Sequence, residues 1–563
     1  MKLVFAIKGT ISFLVTISSF LSLRTLGGQD NPFARARQVS NARASYIMGV
    51  KVDGKKDIPG SFCLGDKPSK SPLGQFFKKA GIKRLDLIYT LESNKNQKWR
   101  HFIEQRFKLP KNDISKLQIA EFTFSNLGFV SEGLKLLRSN EKVLFVEKNY
   151  INRLSEKVSE ETSRKVLDFD KIYKDYFFWW QEQIFFPRVF HLLRQEEGFE
   201  RKVLAKPVIA IIDSGLDVEH PIFKQENIWH NPAVGQVGCG NDLYGCHTAL
   251  AVQEKIGSPD IFPYGTNKAG EACLRLKGES ECAHGTQVAG LIAGRTLSQG
   301  SLGLCPSCQL MTLKALSQEG GDLVILDSSI LRALKYIVLI NERIKNPVRL
   351  INLSFGKYKK SQAISLFLYY LRKEHNILTI AAAGNEKTQK PLYPAALKHV
   401  LAVAATNSFG KRASYSNYGP WVNIFAPGGS HFQGIRSSIP GGGESVSSGT
   451  SLAAPLVTGG AGFLLSLKPE LNVDELESLL LSLNKKSNLT HNILNMEAAL
   501  YSLLQGNYKK EVERKKTRVE PFCGQIVEGF SFDKFHLKFL SIWFILLLPL
   551  ILIGLTRHQE VKL

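Results

Sequence analysis

Residues 208–217 read VIAIIDSGLD, in which five apolar residues precede the carboxylate of Asp213. An apolar run without polar alternation is typical of a strand buried in a parallel sheet, and the sites of open α/β sheets lie at the C-terminal ends of such strands. From Phe177 to Leu500, short apolar runs alternate with helical stretches and glycine turns. This pattern predicts an α/β domain with a mainly parallel sheet flanked by helices. Taken alone, Asp213 equally fits a cap for the turn before Gly215.

Two further segments carry a reactive side chain beside a predicted helix. In CAHGTQVAGLIAG (282–294), His284 precedes Gly285 and Thr286 and then a predicted helix of small residues, VAGLIAG, which can approach its neighbours closely. In GTSLAAP (449–455), Ser451 is predicted at the start of a helix, near the positive end of the helix dipole. Pro455 is expected to cost little there, because first-turn N–H groups lack partners within the helix. Each segment alone also fits a simple polar cap.

The three segments occur in the order Asp213, His284, Ser451, which is the order of the subtilisin-type triad. On these residues the chain resembles the subtilisin-like (subtilase) serine peptidases. The resemblance covers about residues 177–500, and the predicted peptidase domain is 177–505. Connecting blocks resemble the family as well: GLCPSCQLMTLKAL (303–316), INLSFG (351–356), AAAGNE (381–386), SNYGPWVNIFAPGG (416–429) and LNMEAAL (494–500).

The resemblance implies a role for each matched residue. Ser451 is expected to attack the peptide carbonyl, with His284 as general base and then general acid, and Asp213 to orient the imidazole. The amide of Asn385 and the backbone N–H of Ser451 are expected to stabilise the oxyanion. The residues expected to bind substrate are Ser354, Phe355 and Gly356 on an edge strand, with Ala383 and Gly384 as walls of the primary specificity pocket.

The same resemblance bears on cofactors and on the alternative function. The chemistry requires no cofactor, but Asp217 matches a position that binds calcium in several relatives, so a structural calcium ion is possible. The alternative is a catalytically silent subtilase-like protein that only binds peptides. The presence of all four expected catalytic side chains argues against it.

A smaller domain is predicted at residues 83–155. LDLIYTL, IAEFTFSNLGFV and KVLFVEKNYI are predicted strands, while KWRHFIEQRF and SEGLKLLRSN are predicted helices, the second with Ser131 as N-cap. This alternation suits a small α+β (split βαβ, ferredoxin-like) domain, and it resembles the inhibitory propeptide of the family. The resemblance implies an intramolecular inhibitor that occupies the cleft and is cut off between Asn152 and Phe178. An unrelated small domain is the alternative, and residues 28–82 are predicted to be an irregular basic segment.

Both ends of the chain indicate export. Residues 1–27 contain a charged start and an apolar run, which predicts a signal peptide or N-terminal anchor. Residues 539–555, FLSIWFILLLPLILIGL, are seventeen residues without a charge, the lower limit for a transmembrane helix; a buried core helix is the alternative. Residues 506–537 are predicted to be a basic linker. We therefore expect a protein of the cell envelope or membrane, with its peptidase domain outside the cytoplasm.

The distribution of cysteines bears on disulfides, and the distribution of charge bears on nucleic-acid binding. Six of the eight cysteines lie between Cys239 and Cys308, and a clustered even set in an exported chain predicts disulfides, with the pairing left open. The net charge is +23, of which residues 1–175 carry +14. This concentration in a segment expected to be removed disfavours nucleic-acid binding, and the expected partners are protein or peptide substrates, the chain's own propeptide and a membrane.

Overall fold

The computed structural model describes sixteen ranges of the chain: residues 45–52, 62–63, 72–92, 103–109, 116–124, 130–154, 178–195, 204–236, 239–249, 260–262, 279–295, 303–319, 322–344, 347–481, 492–506 and 508. The predicted signal segment 1–27 and transmembrane helix 539–555 lie outside these ranges, as does nearly all of the predicted linker.

The strands are β1 (Ser45–Val52), β2 (Phe62–Cys63), β3 (Ile82–Glu92), β4 (Lys116–Phe124), β5 (Val143–Lys148), β6 (Ile151–Leu154), β7 (Val208–Asp213), β8 (Gly245–His247), β9 (Gln309–Lys314), β10 (Leu316–Glu319), β11 (Asp322–Leu326), β12 (Val348–Leu353), β13 (Phe355–Gly356), β14 (Leu378–Ala382), β15 (Val400–Thr406), β16 (Ile424–Pro427), β17 (Ile435–Ile439) and β18 (Gly443–Ser447). The helices are α1 (Pro72–Lys79), α2 (Val130–Arg138), α3 (Trp179–Gln183), α4 (Phe186–Gln195), α5 (Glu279–Ala293), α6 (Asp327–Asn341), α7 (Gln362–Glu374), α8 (Thr450–Leu467), α9 (Val473–Leu481) and α10 (Met496–Gln505).

A seven-stranded parallel sheet forms the centre of the larger domain, in the order β16-β15-β14-β12-β7-β9-β8. Successive side chains of β7 point to opposite faces of the sheet and pack in two different hydrophobic cores. Ile209 and Ile211 pack in the core that contains α5 and α8, whereas Val208, Ala210 and Ile212 pack in the core that contains α6 and α7. Because both faces are covered by helices, β7 is apolar throughout. The prediction of a parallel α/β domain is confirmed.

The smaller N-terminal domain is an antiparallel sheet in the order β2-β3-β4-β1-β5, with helices α1 and α2. The prediction that residues 28–82 are irregular is wrong, because β1 lies inside this sheet. Met48 packs in the domain's own core, while the neighbouring Ile47 packs in the core shared with α6 and α7. A strand buried on both faces lacks the polar alternation by which such a strand is recognised.

Two local predictions in this domain also need correction. Helix α2 includes Val130, so Ser131 lies inside the helix and is not its N-cap. The segment KVLFVEKNYI, predicted as one strand, divides at Asn149 and Tyr150 into β5 and the start of β6. The division matters because β5 stays in the N-terminal sheet, whereas β6 joins an antiparallel sheet of the larger domain in the order β10-β11-β6-β13.

One helix among the described residues is long and apolar enough to cross a membrane by length and composition. It is α8, which is buried along its whole length and contains Ser451. Complete burial marks α8 as the central helix of the larger domain.

Candidate active site

Asp213 and His284 are in direct contact at the C-terminal edge of the parallel sheet. Asp213 is the last residue of β7 and is 1% exposed. Its Oδ1 accepts a hydrogen bond from His284 Nδ1 at 2.8 Å and one from the backbone N–H of Ser214 at 2.7 Å. A carboxylate at Nδ1 selects the tautomer that carries its proton there, which makes Nε2 the proton acceptor of the neutral ring.

Helix α5 holds His284 close to the loop that follows β7. The prediction that the helix begins after His284 is wrong, because α5 already includes Glu279. A Cβ atom on Gly285 would lie 2.1 Å from the carbonyl oxygen of Gly215, so this approach requires glycine. The N–H of Gly285 also donates to Ser214 Oγ at 2.9 Å. These contacts fix the helix against the loop and the imidazole against the carboxylate.

Ser451 is the second residue of α8 and is fully buried. Its Oγ makes no hydrogen bond to any residue within the described ranges, and such catalytic bonds often tighten only when substrate binds. Pro455 is the sixth residue of α8, so the N–H that it lacks is the one that would bond to the Ser451 carbonyl. The prediction that Pro455 lies in the first turn is therefore wrong. Ser354 Oγ donates to this carbonyl instead, at 3.0 Å.

Asn385 is oriented by Thr450, the residue before Ser451. Its Oδ1 accepts hydrogen bonds from the backbone N–H and from Oγ1 of Thr450, both at 3.0 Å. Because the oxygen of the amide is held by two donors, its NH₂ group must point the other way. Thr450 Oγ1 accepts in turn from the N–H of Gly384 at 3.0 Å. The threonine therefore positions both Asn385 and the preceding glycine.

The edge strand β13 is paired with β6 of the N-terminal domain. Phe355 lies opposite Leu154 and Gly356 opposite Arg153, in antiparallel register. On its other side β6 pairs with β11. An extended segment therefore lies between two strands of the larger domain, in the manner of a peptide added to a sheet edge.

Leu392 fills the space between two of the predicted substrate-binding glycines. A Cβ atom on Gly356 would lie 2.5 Å from Leu392 Cδ2, and one on Gly384 would lie 2.8 Å from the same atom. Leu392 itself is 3% exposed. The backbone of the next residue, Tyr393, is bonded to Lys357 in both directions, which fixes the leucine beside β13.

Asn417, which no motif in the sequence marks as functional, holds Ala383 and Gly384 in place. Asn417 Nδ2 donates to the carbonyl of Ala383 at 2.9 Å, and its backbone N–H donates to the carbonyl of Gly384. The side chain of Ala383 packs in a small cluster with Ala404 and Phe425. Asn417 lies in the block SNYGPWVNIFAPGG. The sequence alone does not distinguish an asparagine that positions other residues from an ordinary asparagine in a turn.

Asp217 is occupied by backbone hydrogen bonds. Its Oδ2 accepts from the N–H of Gly441 at 2.9 Å and its Oδ1 from the N–H of Glu219 at 3.2 Å. The residue is fully buried. Within the described part of the chain, no group of three or more His, Cys, Asp or Glu side chains is arranged to hold a metal ion.

Disulfides brace the larger domain. Cys239 is bonded to Cys246 and Cys305 to Cys308, and Cys282 is disulfide-bonded as well. The sequence had left the pairing open. Cys282 lies two residues before His284 on α5, so this cross-link is close to the histidine in the chain.

The α/β fold, the Asp213–His284 hydrogen bond and the position of Ser451 at the start of α8 fit the class of serine peptidases with the chain order Asp, His, Ser. The particular family follows from sequence comparison. A profile described as the subtilase family matches residues 205–497, slightly more than half of the chain. The chain belongs to the subtilase family.

The similar proteins are named as a protease and as subtilisins. The chain is 36% identical over 186 residues to a thermostable alkaline protease of Halalkalibacterium halodurans, covering 33% of this chain and 48% of that protein. It is 34% identical over 302 residues to subtilisin NAT of Bacillus subtilis subsp. natto, covering 52% and 65%, and equally so to subtilisin of Bacillus pumilus, covering 52% and 90%. The chain thus spans about half to two thirds of the length of the first two.

Proposed function

We propose that this protein is a serine endopeptidase that hydrolyses peptide bonds through Asp213, His284 and Ser451. The observation that carries the proposal is the 2.8 Å hydrogen bond between Asp213 Oδ1 and His284 Nδ1. Ser451, the second residue of α8, is the hydroxyl that completes the order Asp, His, Ser. In a buried Asp–His pair that serves a hydroxyl nucleophile, the carboxylate makes the imidazole a stronger base and stabilises the imidazolium that forms.

The reaction follows from these groups. Ser451 Oγ attacks the carbonyl carbon and His284 Nε2 takes its proton. Asn385 and the backbone N–H of Ser451 donate to the oxyanion, and removal of such an asparagine in subtilisin lowers kcat about 10²–10³-fold. His284 then protonates the leaving amine, and water hydrolyses the acyl-enzyme by the reverse proton transfers. All steps use protein groups and water alone.

We further propose that the protein is made as a zymogen, with the N-terminal domain as intramolecular inhibitor. The insertion of β6 beside β13 supports this, because it occupies the strand position that an extended substrate would take. Glu147 supports it as well: its carboxylate accepts from Ser361 Oγ at 2.7 Å and from the backbone N–H groups of Gln362 and Ala363 at the start of α7. These contacts hold the domain on the peptidase.

Export and membrane attachment are part of the same proposal. The apolar segment 539–555 and the signal-like residues 1–27 support a body outside the cytoplasm with a C-terminal anchor. Disulfides in the larger domain suit an oxidising compartment. The alternative of a silent peptide-binding protein has no feature of the site in its favour.

The test compares wild type with Ser451→Ala by intact mass, N-terminal sequencing and labelling with a fluorophosphonate probe. We expect wild type to take up the probe and to begin within residues 153–178, and the variant to stay full length and unlabelled. Ser478→Ala, which alters another buried serine on α9, is the matched control and should behave as wild type. If wild type stays unlabelled while a control peptidase reacts, the proposed function is wrong.

A further inference from the structure

The side chain of Asn152 is buried in the cleft between the two strands that flank β6. It is 1% exposed. Its Nδ2 donates to Asp327 Oδ1 at 2.9 Å and to the carbonyl oxygen of Ile325 at 3.2 Å. Because β6 lies where an added peptide strand would lie, a substrate in the same register would present one side chain to the same two acceptors.

A buried ion pair lies beside this position. Lys357 donates to Asp327 Oδ2, and its ammonium lies 4.7 Å from the ring centroid of Tyr150. The side chain of Asp327 is fully buried and that of Lys357 is 8% exposed. Buried ion pairs are stable only where their remaining hydrogen-bonding capacity is used. Asp327 Oδ1 therefore requires a donor, which here comes from the strand in the cleft.

We propose, as an extension of the peptidase function proposed above, that Asp327, Lys357 and the Ile325 carbonyl form a polar substrate subsite. This subsite selects an asparagine side chain at the substrate position that corresponds to Asn152, two residues before the one opposite Phe355.

The chemistry of the subsite disfavours four kinds of side chain. An apolar side chain leaves both acceptors buried without a donor. An ionised aspartate has no donor and brings a second negative charge toward Asp327. A cationic side chain meets a carboxylate that Lys357 already neutralises, and glutamine adds a methylene to a packed site. The hydrogen bond to a charged group corresponds to a preference of about 10- to 150-fold for asparagine over leucine.

The experiment starts from the full-length chain, lets it process itself, and measures kcat/KM of the resulting enzyme on two internally quenched peptides. The first copies residues 149–158, NYINRLSEKV, and the second carries leucine in place of Asn152. We expect the asparagine peptide to be cleaved about 10- to 150-fold more efficiently. In the double variant Asp327→Asn/Lys357→Met, which removes both charges together, we expect that preference to fall below about 3-fold.

The control variant is Asp474→Asn, which makes the same change at an ion pair with Arg372, between α9 and α7. It should keep the preference of wild type. Equal cleavage of the two peptides by wild type, in a preparation of which a separate sample takes up the fluorophosphonate, would overturn the subsite and leave the proposed function intact. Failure to cleave either peptide, together with failure to take up the fluorophosphonate, would overturn the proposed function and the subsite with it.

Discussion

Substitutions at Ser354 and Pro455, which are far apart in the sequence, should have coupled effects on stability, because both positions bear on the hydrogen bonding of the Ser451 carbonyl. Pro455 cannot donate to that carbonyl, and Ser354 Oγ is the donor that replaces it. Ser354→Ala should therefore leave a fully buried carbonyl without a partner. The expected loss in the free energy of unfolding is about 1–3 kcal/mol.

Pro455→Ala restores the missing donor, because the N–H of residue 455 then faces the carbonyl of residue 451 in the ordinary helical pattern. In this background Ser354→Ala should cost about 1 kcal/mol less than in wild type. The rescue should be incomplete. Ser354 Oγ also accepts from Asn352 Nδ2 at 3.0 Å, and this donor loses its partner in either background.

The measurement is urea-induced unfolding of four proteins that all carry Ser451→Ala, which prevents self-digestion and keeps the backbone carbonyl. The four differ at positions 354 and 455, alone and together. In the corresponding variants that keep Ser451, kcat is divided by the fraction of protein that the fluorophosphonate labels. These values should fall in the same order as the free energies of unfolding. If Ser354→Ala costs the same free energy with proline and with alanine at position 455, the carbonyl is not the acceptor that couples them and the argument fails.

Three further predictions follow from the site. Thr450→Val should lower kcat about tenfold with little change in KM, because the amide of Asn385 loses one of its two donors, whereas Thr450→Ser should keep the wild-type kcat; equal kcat in both variants contradicts the positioning role. Leu392→Gly should open the space between Gly356 and Gly384. The ratio of kcat/KM for a peptide with phenylalanine before the cleaved bond to kcat/KM for the matching alanine peptide should then rise about 10–200-fold. An unchanged ratio would place the pocket elsewhere. In the assembled protein, burial raises the pKa of Glu147 by more than its hydrogen bonds lower it. The assembled form therefore binds a proton that the separated domains release. Because of this linkage, association of the cleaved N-terminal domain should weaken as the pH rises through the raised pKa. Glu147→Gln should reduce this dependence when co-elution is measured as a function of pH, and an unaltered profile excludes Glu147 as its source.

The order of the reactive residues and the nature of the central sheet could be predicted from the sequence. The apolar run before Asp213 indicated a buried parallel strand, and β7 is one. The small residues after His284 indicated close packing, which Gly285 makes against Gly215. These predictions succeed because burial and close approach restrict which residue types can stand at a single position.

The start of α5 and the strand β1 could not be predicted in the same way. The residues around Glu279 are polar and lack the small-residue signal on which the helix was recognised. Residues 45–52 look irregular alone because Ile47 and Met48 are both buried, one against α6 and α7 and the other within the N-terminal domain. Such a pattern has meaning only once both packing partners are known.

The sequence by itself determined which side chains can carry the chemistry and in what order they occur. The tertiary structure decided what each of them touches. The Ser354 hydroxyl lies 97 residues before the carbonyl to which it donates, and Asn152 lies 175 residues before Asp327, whose carboxylate accepts its hydrogen bond. The physical reason is that a hydrogen bond depends on distance and direction between two groups, whereas a sequence motif records only what lies near along the chain.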